Sequence, residues 1–200
     1  MIELPTLIQP HFERLFKGSA LNKNWGDYPV PTSLYPAAVL IPLIERIEGT
    51  SILLTRRTDH LNNHPGQISF PGGRADEDDA SPVETALREA FEEVGICSEK
   101  TTIIGALPQR DTVTGFRVMP IVAFIDAKTA FIADEFEVAE LLEVPLEFIL
   151  DRANYRQQSI FYKGQERSFW ELMFGSHRIW GATAGMLRDL ALIVAEQTDL

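Results

Sequence analysis

Three carboxylates stand at positions i, i+3 and i+4 in the run Arg88-Glu89-Ala90-Phe91-Glu92-Glu93-Val94-Gly95-Ile96. On a helix, Glu89, Glu92 and Glu93 fall on one side. Upstream lie Gly72 and Gly73, a pair that lets the backbone come close to a ligand. Hard oxygen ligands on a rigid helix beside a glycine turn suit a divalent cation and a phosphate chain. An ordinary amphipathic helix with a solvated acidic side carries the same pattern. Two features weigh against that plainer reading. Like charges at i,i+4 repel by a few tenths of a kcal/mol per pair, and Arg88 is the cation at hand to relieve them.

The element that must position these acids announces itself. Ser81-Pro82-Val83-Glu84 reads as a capping box, with Ser81 as N-cap and Pro82 at the first helical position. Val83, Ala86, Leu87, Ala90, Phe91 and Val94 form one apolar stripe, and Gly95 stands where a helix ends. The stripe predicts that Phe91 is buried. It places Glu89, Glu92 and Glu93 nearly opposite, on the exposed side, with Arg88 beside them.

Together these residues resemble the Nudix box, GX5EX7REUXEEXGU, in which U is a bulky aliphatic. Gly73, Arg88, Glu89, Glu92, Glu93, Gly95 and Ile96 match. The first acid is Asp79 instead of Glu, eight residues separate it from Arg88 instead of seven, and Ala90 holds a position that is usually bulkier. The extra residue falls near the Ser81 cap, ahead of the regular helix, where an insertion is tolerated. The preceding segment is similar to the signature of the coenzyme A pyrophosphatase branch. It reads Leu53-Leu54-Thr55-Arg56-Arg57, then His60-Leu61-Asn62-Asn63-His64-Pro65-Gly66, then Phe70-Pro71-Gly72-Gly73. Asn62 replaces an arginine often present there. The two motifs cover about 45 residues.

The resemblance implies an α/β fold, an α/β/α sandwich around a mixed β-sheet. It also implies a metal-dependent pyrophosphohydrolase. Mg²⁺ or Mn²⁺ would neutralise the diphosphate and lower the pKa of bound water. Glu89 and Glu93, one helical turn apart, are the expected metal ligands, and Glu92 is a third ligand or a base. Arg88 would orient Glu89, and Gly72 and Gly73 would admit the phosphates. The implied substrate is coenzyme A or a derivative, cleaved to 3′,5′-ADP and 4′-phosphopantetheine derivatives. The same box also serves other nucleoside diphosphates, such as ADP-ribose. A module that binds nucleotides without catalysis would be expected to lose box carboxylates, and here all three helix acids remain.

Further candidates lie outside the box. Arg56 and Arg57 follow a predicted strand and could hold the 3′-phosphate of coenzyme A. His60 and His64 have the spacing of a zinc pair but lack further ligands, and the signature makes His64 a substrate contact or a loop anchor. Glu137 and Glu140 occupy a region where related enzymes supply a further acid, with Glu137 the candidate catalytic group. Tyr162, Trp170 and Trp180 could stack on adenine, although packing explains them equally.

Composition narrows the class. Two hundred residues suffice for one domain, with a core at about 35–175 and the N-terminal lead-in and C-terminal helix packed on it. A net charge of −11 argues against a nucleic-acid binder, so an anionic substrate must be received by local cations or metal. The single cysteine, Cys97, cannot form an intrachain disulfide and reads as a buried structural residue. No signal peptide and no 18-residue apolar run is evident, so the expectation is a cytoplasmic protein away from membranes. A homodimer is compatible with the sequence.

Strands are predicted at Ala37 to Ile47 and Ser51 to Thr55, joined across Glu48-Gly49-Thr50, and at Ile68 to Phe70, Thr102 to Leu107 and Arg117 to Ile125. A hairpin is expected from Gln158 to Tyr162 and Arg167 to Met173. Helices are expected around Phe12 to Phe16, from Glu135 to Leu142, after Pro145 through Leu150, and from Ala182 to Glu196.

Overall fold

The structure is a computed structural model and describes residues 24–28, 30–60, 64–162 and 164–196. Its spine is β1 (Tyr35–Arg46), a strand buried on both sides. Ala38, Leu40 and Ile44 point to one face, while Ala37, Ile41 and Leu43 point to the other. This is why the sequence there is apolar without interruption. β1 runs antiparallel to β2 (Gly49–Arg57) and parallel to β7 (Phe116–Ile125). β3 (Ile68–Ser69) and β8 (Val138–Pro145) pair with β2. β5 (Thr101–Ala106) and β6 (Arg110–Asp111) pair with β7, and β4 (Gly72–Arg74) pairs with β1. The result is an eight-stranded mixed sheet.

One face of the sheet is covered by α1 (Pro82–Val94), through Ala86, Ala90 and Val94. The other is covered by α2 (Leu146–Leu150) and α3 (Gly181–Glu196), with Leu146, Ile149, Leu187 and Leu190. This is the expected α/β/α sandwich. Beside it stands a small antiparallel sheet of β9 (Arg156–Tyr162), β10 (Gln165–Phe174) and β11 (His177–Trp180). The expected strands and the hairpin are present, as are the short helix after Pro145 and the C-terminal helix. The helix expected around Phe12 to Phe16 lies outside the described residues, as do Leu61, Asn62 and Asn63 of the signature. No helix among the described residues is long and apolar enough to cross a membrane.

Three expectations are corrected. Glu135 to Leu142 is not a helix. Residues from Val138 onward form β8, paired to β2, with a turn before it. Val138 and Leu142, four apart, fit either periodicity, and Leu141 favours the helical one. Val144, buried two residues beyond Leu142, continues the alternation of a strand. Cys97 is half-buried instead of buried, its thiol donating to the Gly95 carbonyl at 3.8 Å.

The third correction concerns how α1 is turned about its axis. Glu93 is only 5% exposed and Phe91 is 58% exposed. The helix still meets the sheet through Ala86, Ala90 and Val94, but it is rolled so that Glu89 and Glu93 turn inward while Glu92 and Phe91 face out. The cause is β4, where Gly72 and Gly73 present no side chains. The space that a side chain on Gly73 would fill is taken by the Glu89 carboxylate. Phe91→Ala is therefore expected to cost less than about 1 kcal/mol, the range of a surface change. Urea melts test this. A loss of about 3 kcal/mol or more, typical of a truncated core Phe, would show Phe91 to be covered.

Candidate active site

The termini of α1 are fixed by the residues predicted to fix them. The Glu84 N–H donates to Ser81 Oγ at 3.2 Å, while the Glu84 carboxylate accepts from Ala80 N–H at 2.9 Å, one residue before the expected reciprocal partner. Gly95 ends the helix in the left-handed region, φ 71°, where the absence of a Cβ removes the strain. Between these caps, one face of the helix lies along β4.

Arg88 organises Asp79, Glu89 and Glu92. Its guanidinium holds Asp79 with two bonds, Nε to Oδ1 at 3.1 Å and a terminal nitrogen to Oδ2 at 2.9 Å. It also donates to Glu89 and Glu92, each at 3.0 Å, and to the Arg74 carbonyl at 3.1 Å. The role of Asp79, where the box usually has Glu, is thus to anchor Arg88. Burial pushes the Asp79 carboxyl up, but hydrogen bonds from Arg88 and the Asp76 N–H more than offset it and hold it below the ordinary range. The bonds to Asp79, then those to Glu89, hold the Arg88 proton more tightly than usual.

Deeper in, the charges are poorly balanced. Glu93 has Arg57 at 3.9 Å, and its Oε2 is buried with no hydrogen-bond partner among the described residues. Burial, together with the Glu89 and Glu137 carboxylates, pushes the Glu93 carboxyl up to about 8, against the smaller opposing pull of Arg57. Burial and the neighbouring acids Glu92 and Glu137 also raise Glu89, despite its bond to Arg88. Glu137, at the turn before β8, stands 4.0 Å from Arg57. So Glu89, Glu93 and Glu137 converge from two elements on Arg57 and the glycine strand. A buried carboxylate oxygen with no partner, next to two further acids, is the environment that a divalent cation stabilises. The donor set is all oxygen, which suits Mg²⁺ or Mn²⁺. The side chains are not gathered at ligand spacing among the described residues, because Glu89 is turned onto Arg88.

The glycines are required by contact. A Cβ on Gly73 would lie 2.5 Å from the Glu89 carboxylate, and one on Gly72 would lie 2.5 Å from the Ala38 carbonyl oxygen and Val39 Cα. The two alanine variants should therefore fail differently. Gly73→Ala displaces the end of a flexible side chain, so it is expected to keep its melting temperature within a few degrees and lose roughly 10–100-fold in rate. Gly72→Ala, at φ 154°, strikes backbone and is expected to lose about 1–3 kcal/mol of stability. Thermal melts alongside Mn²⁺-dependent rates separate the two. A parental rate in Gly73→Ala would remove Glu89 from the site.

The predicted pair Arg56 and Arg57 does not act as a pair. A register shift separates them at the end of β2. Arg57 faces Glu93 and Glu137, whereas Arg56 donates to Glu140 at 3.2 Å and approaches Asp59 at 3.7 Å. Glu140 also meets His177 Nε2 at 3.2 Å. Hydrogen bonds from Arg56 and then His177 hold the Glu140 carboxyl below its ordinary range. No spacing in the sequence joins Arg56, Glu140 and His177. They come from three strands. His64 is exposed at φ 56°, its carbonyl accepting from the Gln67 N–H at 3.2 Å, while His60 packs its ring edge-on to Phe136. Of the aromatic candidates, Trp170 is covered by Arg188, and Trp180 packs against Phe169 and Arg178.

Residues 34–162 match the model of the NUDIX domain. The chain belongs to the Nudix family. It is 46% identical over 156 residues to a protein of Enterobacter sp. (strain 638) described as an uncharacterized Nudix hydrolase, NudL, covering 78% of this chain and 81% of that one. The NudL of Escherichia coli (strain K12) is 42% identical over 156 residues with the same coverage. Among solved structures, an Ap4A hydrolase of C. elegans in a binary complex superposes with a TM-score of 0.55 at 17% identity, over 80% of this chain and 98% of that one. That likeness concerns the fold alone. Nudix hydrolases are pyrophosphohydrolases acting on phosphorus-containing anhydrides, generally with divalent metal ions, and this chain is a member of that enzyme family.

Proposed function

We propose that this Nudix hydrolase cleaves the diphosphate of coenzyme A or its derivatives, with Mg²⁺ or Mn²⁺, to 3′,5′-ADP and 4′-phosphopantetheine derivatives. One observation carries the metal-dependent chemistry: the buried Glu93 carboxylate, with an unpartnered oxygen, beside Glu89 and Glu137. Glu89 and Glu93 would hold the cation. When bound, it supplies charge neutralisation of the diphosphate and a water of lowered pKa. Gly72 and Gly73 leave room for the phosphate oxygens. Arg88 fixes the carboxylates of Glu89 and Glu92. Glu92 would serve as a third ligand or a base, and Glu137 as the further acid that takes up the proton of the attacking water.

The substrate rests on the Leu53–Gly73 signature and its resemblance to the coenzyme A pyrophosphatase branch. Arg57, which closes its first block, and Gly72–Gly73, which close its last, flank the acid cluster. Arg57 is at 3.9–4.0 Å from its acids, beyond hydrogen-bond distance, and can turn to an incoming phosphate. Coenzyme A is expected to be hydrolysed faster than 3′-dephospho-coenzyme A. A charge-assisted contact is worth about 1.5–3 kcal/mol, so the preference is on the order of ten- to a hundredfold in kcat/KM, and Arg57→Ala should shrink it. A substrate panel with product identification tests this. Equal rates on the two compounds would remove the 3′-phosphate contact, and a clear preference for ADP-ribose would remove coenzyme A as the substrate.

A further inference from the structure

Thr58, the residue after β2, is buried and is not one of the residues that carry either sequence motif. We propose that Thr58 is a positioning residue, which sets Glu137 against Glu93 by clasping the 134–137 turn to the end of β2. The inference rests on the role given to Glu137 above.

The turn is gripped from two sides. Thr58 Oγ1 donates to the Phe136 carbonyl at 2.8 Å, and the Thr58 N–H donates to the Glu137 carbonyl at 2.9 Å. On the other side, the Asp134 N–H donates to the Glu93 carbonyl at 2.9 Å, and the Ile132 N–H to the Val94 carbonyl at 3.0 Å. These carbonyls belong to the last turn of α1 and lack intrahelical partners. Inside the turn, the Phe136 N–H donates to Asp134 Oδ1 at 3.0 Å, and the Glu137 N–H donates to the Asp134 carbonyl at 3.0 Å. The segment is thus a strap from the acid-bearing helix to β2, with Glu137 at its end. Arg57, adjacent to Thr58, faces both Glu93 and Glu137. The hydroxyl of Thr58 is the side-chain bond that fixes the strap on the β2 side. A Glu137 that merely sat on a surface turn would need no buried threonine beneath it.

Thr58→Val keeps the shape and removes the bond, and Thr58→Ser keeps the bond. Asp134→Ala loosens the same turn from its exposed side, which secures the test if the valine variant does not fold. Mn²⁺ binding to the protein alone, without substrate, and the kcat and KM of hydrolysis at saturating Mn²⁺ are the readouts. Thr58→Val and Asp134→Ala are expected to lose roughly 10-fold or more in kcat and several-fold in Mn²⁺ affinity, with KM little changed. Thr58→Ser is expected to restore both. In a Glu137→Gln background, Thr58→Val should add no further loss in kcat, because the residue acts through Glu137. A loss caused by Glu137→Gln but by neither strap variant would overturn the positioning alone. Full additivity of Thr58→Val with Glu137→Gln would do the same. A Glu137→Gln enzyme with parental kcat would overturn the role of Glu137 and the positioning with it.

Discussion

Glu93→Gln is expected to give a protein at least about 10²-fold slower than its parent, yet more stable than its parent in the absence of metal at pH 8. The two effects have one cause. The Glu93 carboxyl titrates near 8 in the folded chain, against an ordinary 4.5 in the unfolded one. Between those values the folded state keeps a proton that the unfolded state has released. Unfolding then releases a proton, so the stability owed to this group is fully present below about pH 4.5 and falls as pH rises toward 8. One unit of pKa corresponds to about 1.4 kcal/mol, so the decline is on the order of a few kcal/mol. Glutamine does not titrate and escapes it. Melting temperatures in a chelator should therefore diverge between parent and variant across this window, with the variant higher at the alkaline end. Added Mn²⁺ should raise the parent and leave the variant nearly unmoved. Parallel melting curves at all pH values would refute the unbalanced charge at Glu93, and a parental rate in the variant would take Glu93 out of the site.

Arg88→Ala is expected to damage both activity and stability. The substitution strips the counter-ion from Asp79, Glu89 and Glu92 at once and breaks the bond to the Arg74 carbonyl. Asp79 suffers most, since its side chain is nearly buried. Hydrogen bonds to charged groups contribute about 1.5–3 kcal/mol, which sets the scale of the stability loss. Loss of the group that orients a ligand typically costs roughly 10–100-fold in metal affinity or activity. Arg88→Lys should recover less than half of either effect in free-energy terms. An ammonium is a point charge and cannot hold both oxygens of Asp79 while reaching Glu89 and Glu92. Mn²⁺ titrations of kcat/KM, with parallel thermal melts, measure this. A lysine variant equal to the parent would show that charge alone, without the planar fork, suffices.

Much of the acid helix was legible because its signals are local. Ser81, Pro82 and Gly95 fix the two ends within a few residues of themselves, and the Glu89 to Glu93 spacing needs only the helical repeat. The sequence pairs Arg88 with Glu89, and the two are hydrogen-bonded at 3.0 Å. The roll of the helix was not legible. Periodicity assigns burial to apolar residues and could not anticipate that Gly73, on a strand paired with β1, would leave room for the Glu89 carboxylate while Phe91 stays exposed. The β8 strand failed for a related reason. Val138 and Leu142, four residues apart, satisfy both helical and strand spacing, and pairing with β2 decided between them.

The sequence by itself determined the family, the box acids and the glycine pair, because each is written in contiguous residues with fixed offsets. It also determined a strand at Ala37 to Ile47, which the structure shows as β1, buried on both faces. Only the tertiary structure decided which charges meet. Arg57 and Arg56 are neighbours in the chain, yet one faces Glu93 and Glu137 and the other faces Glu140 and His177. Thr58 acquires its contacts from residues 78 and 79 positions away in the chain. Electrostatic and hydrogen-bond partners depend on distances between elements, and these are set by how the sheet pairs and how closely the glycines let the helix approach.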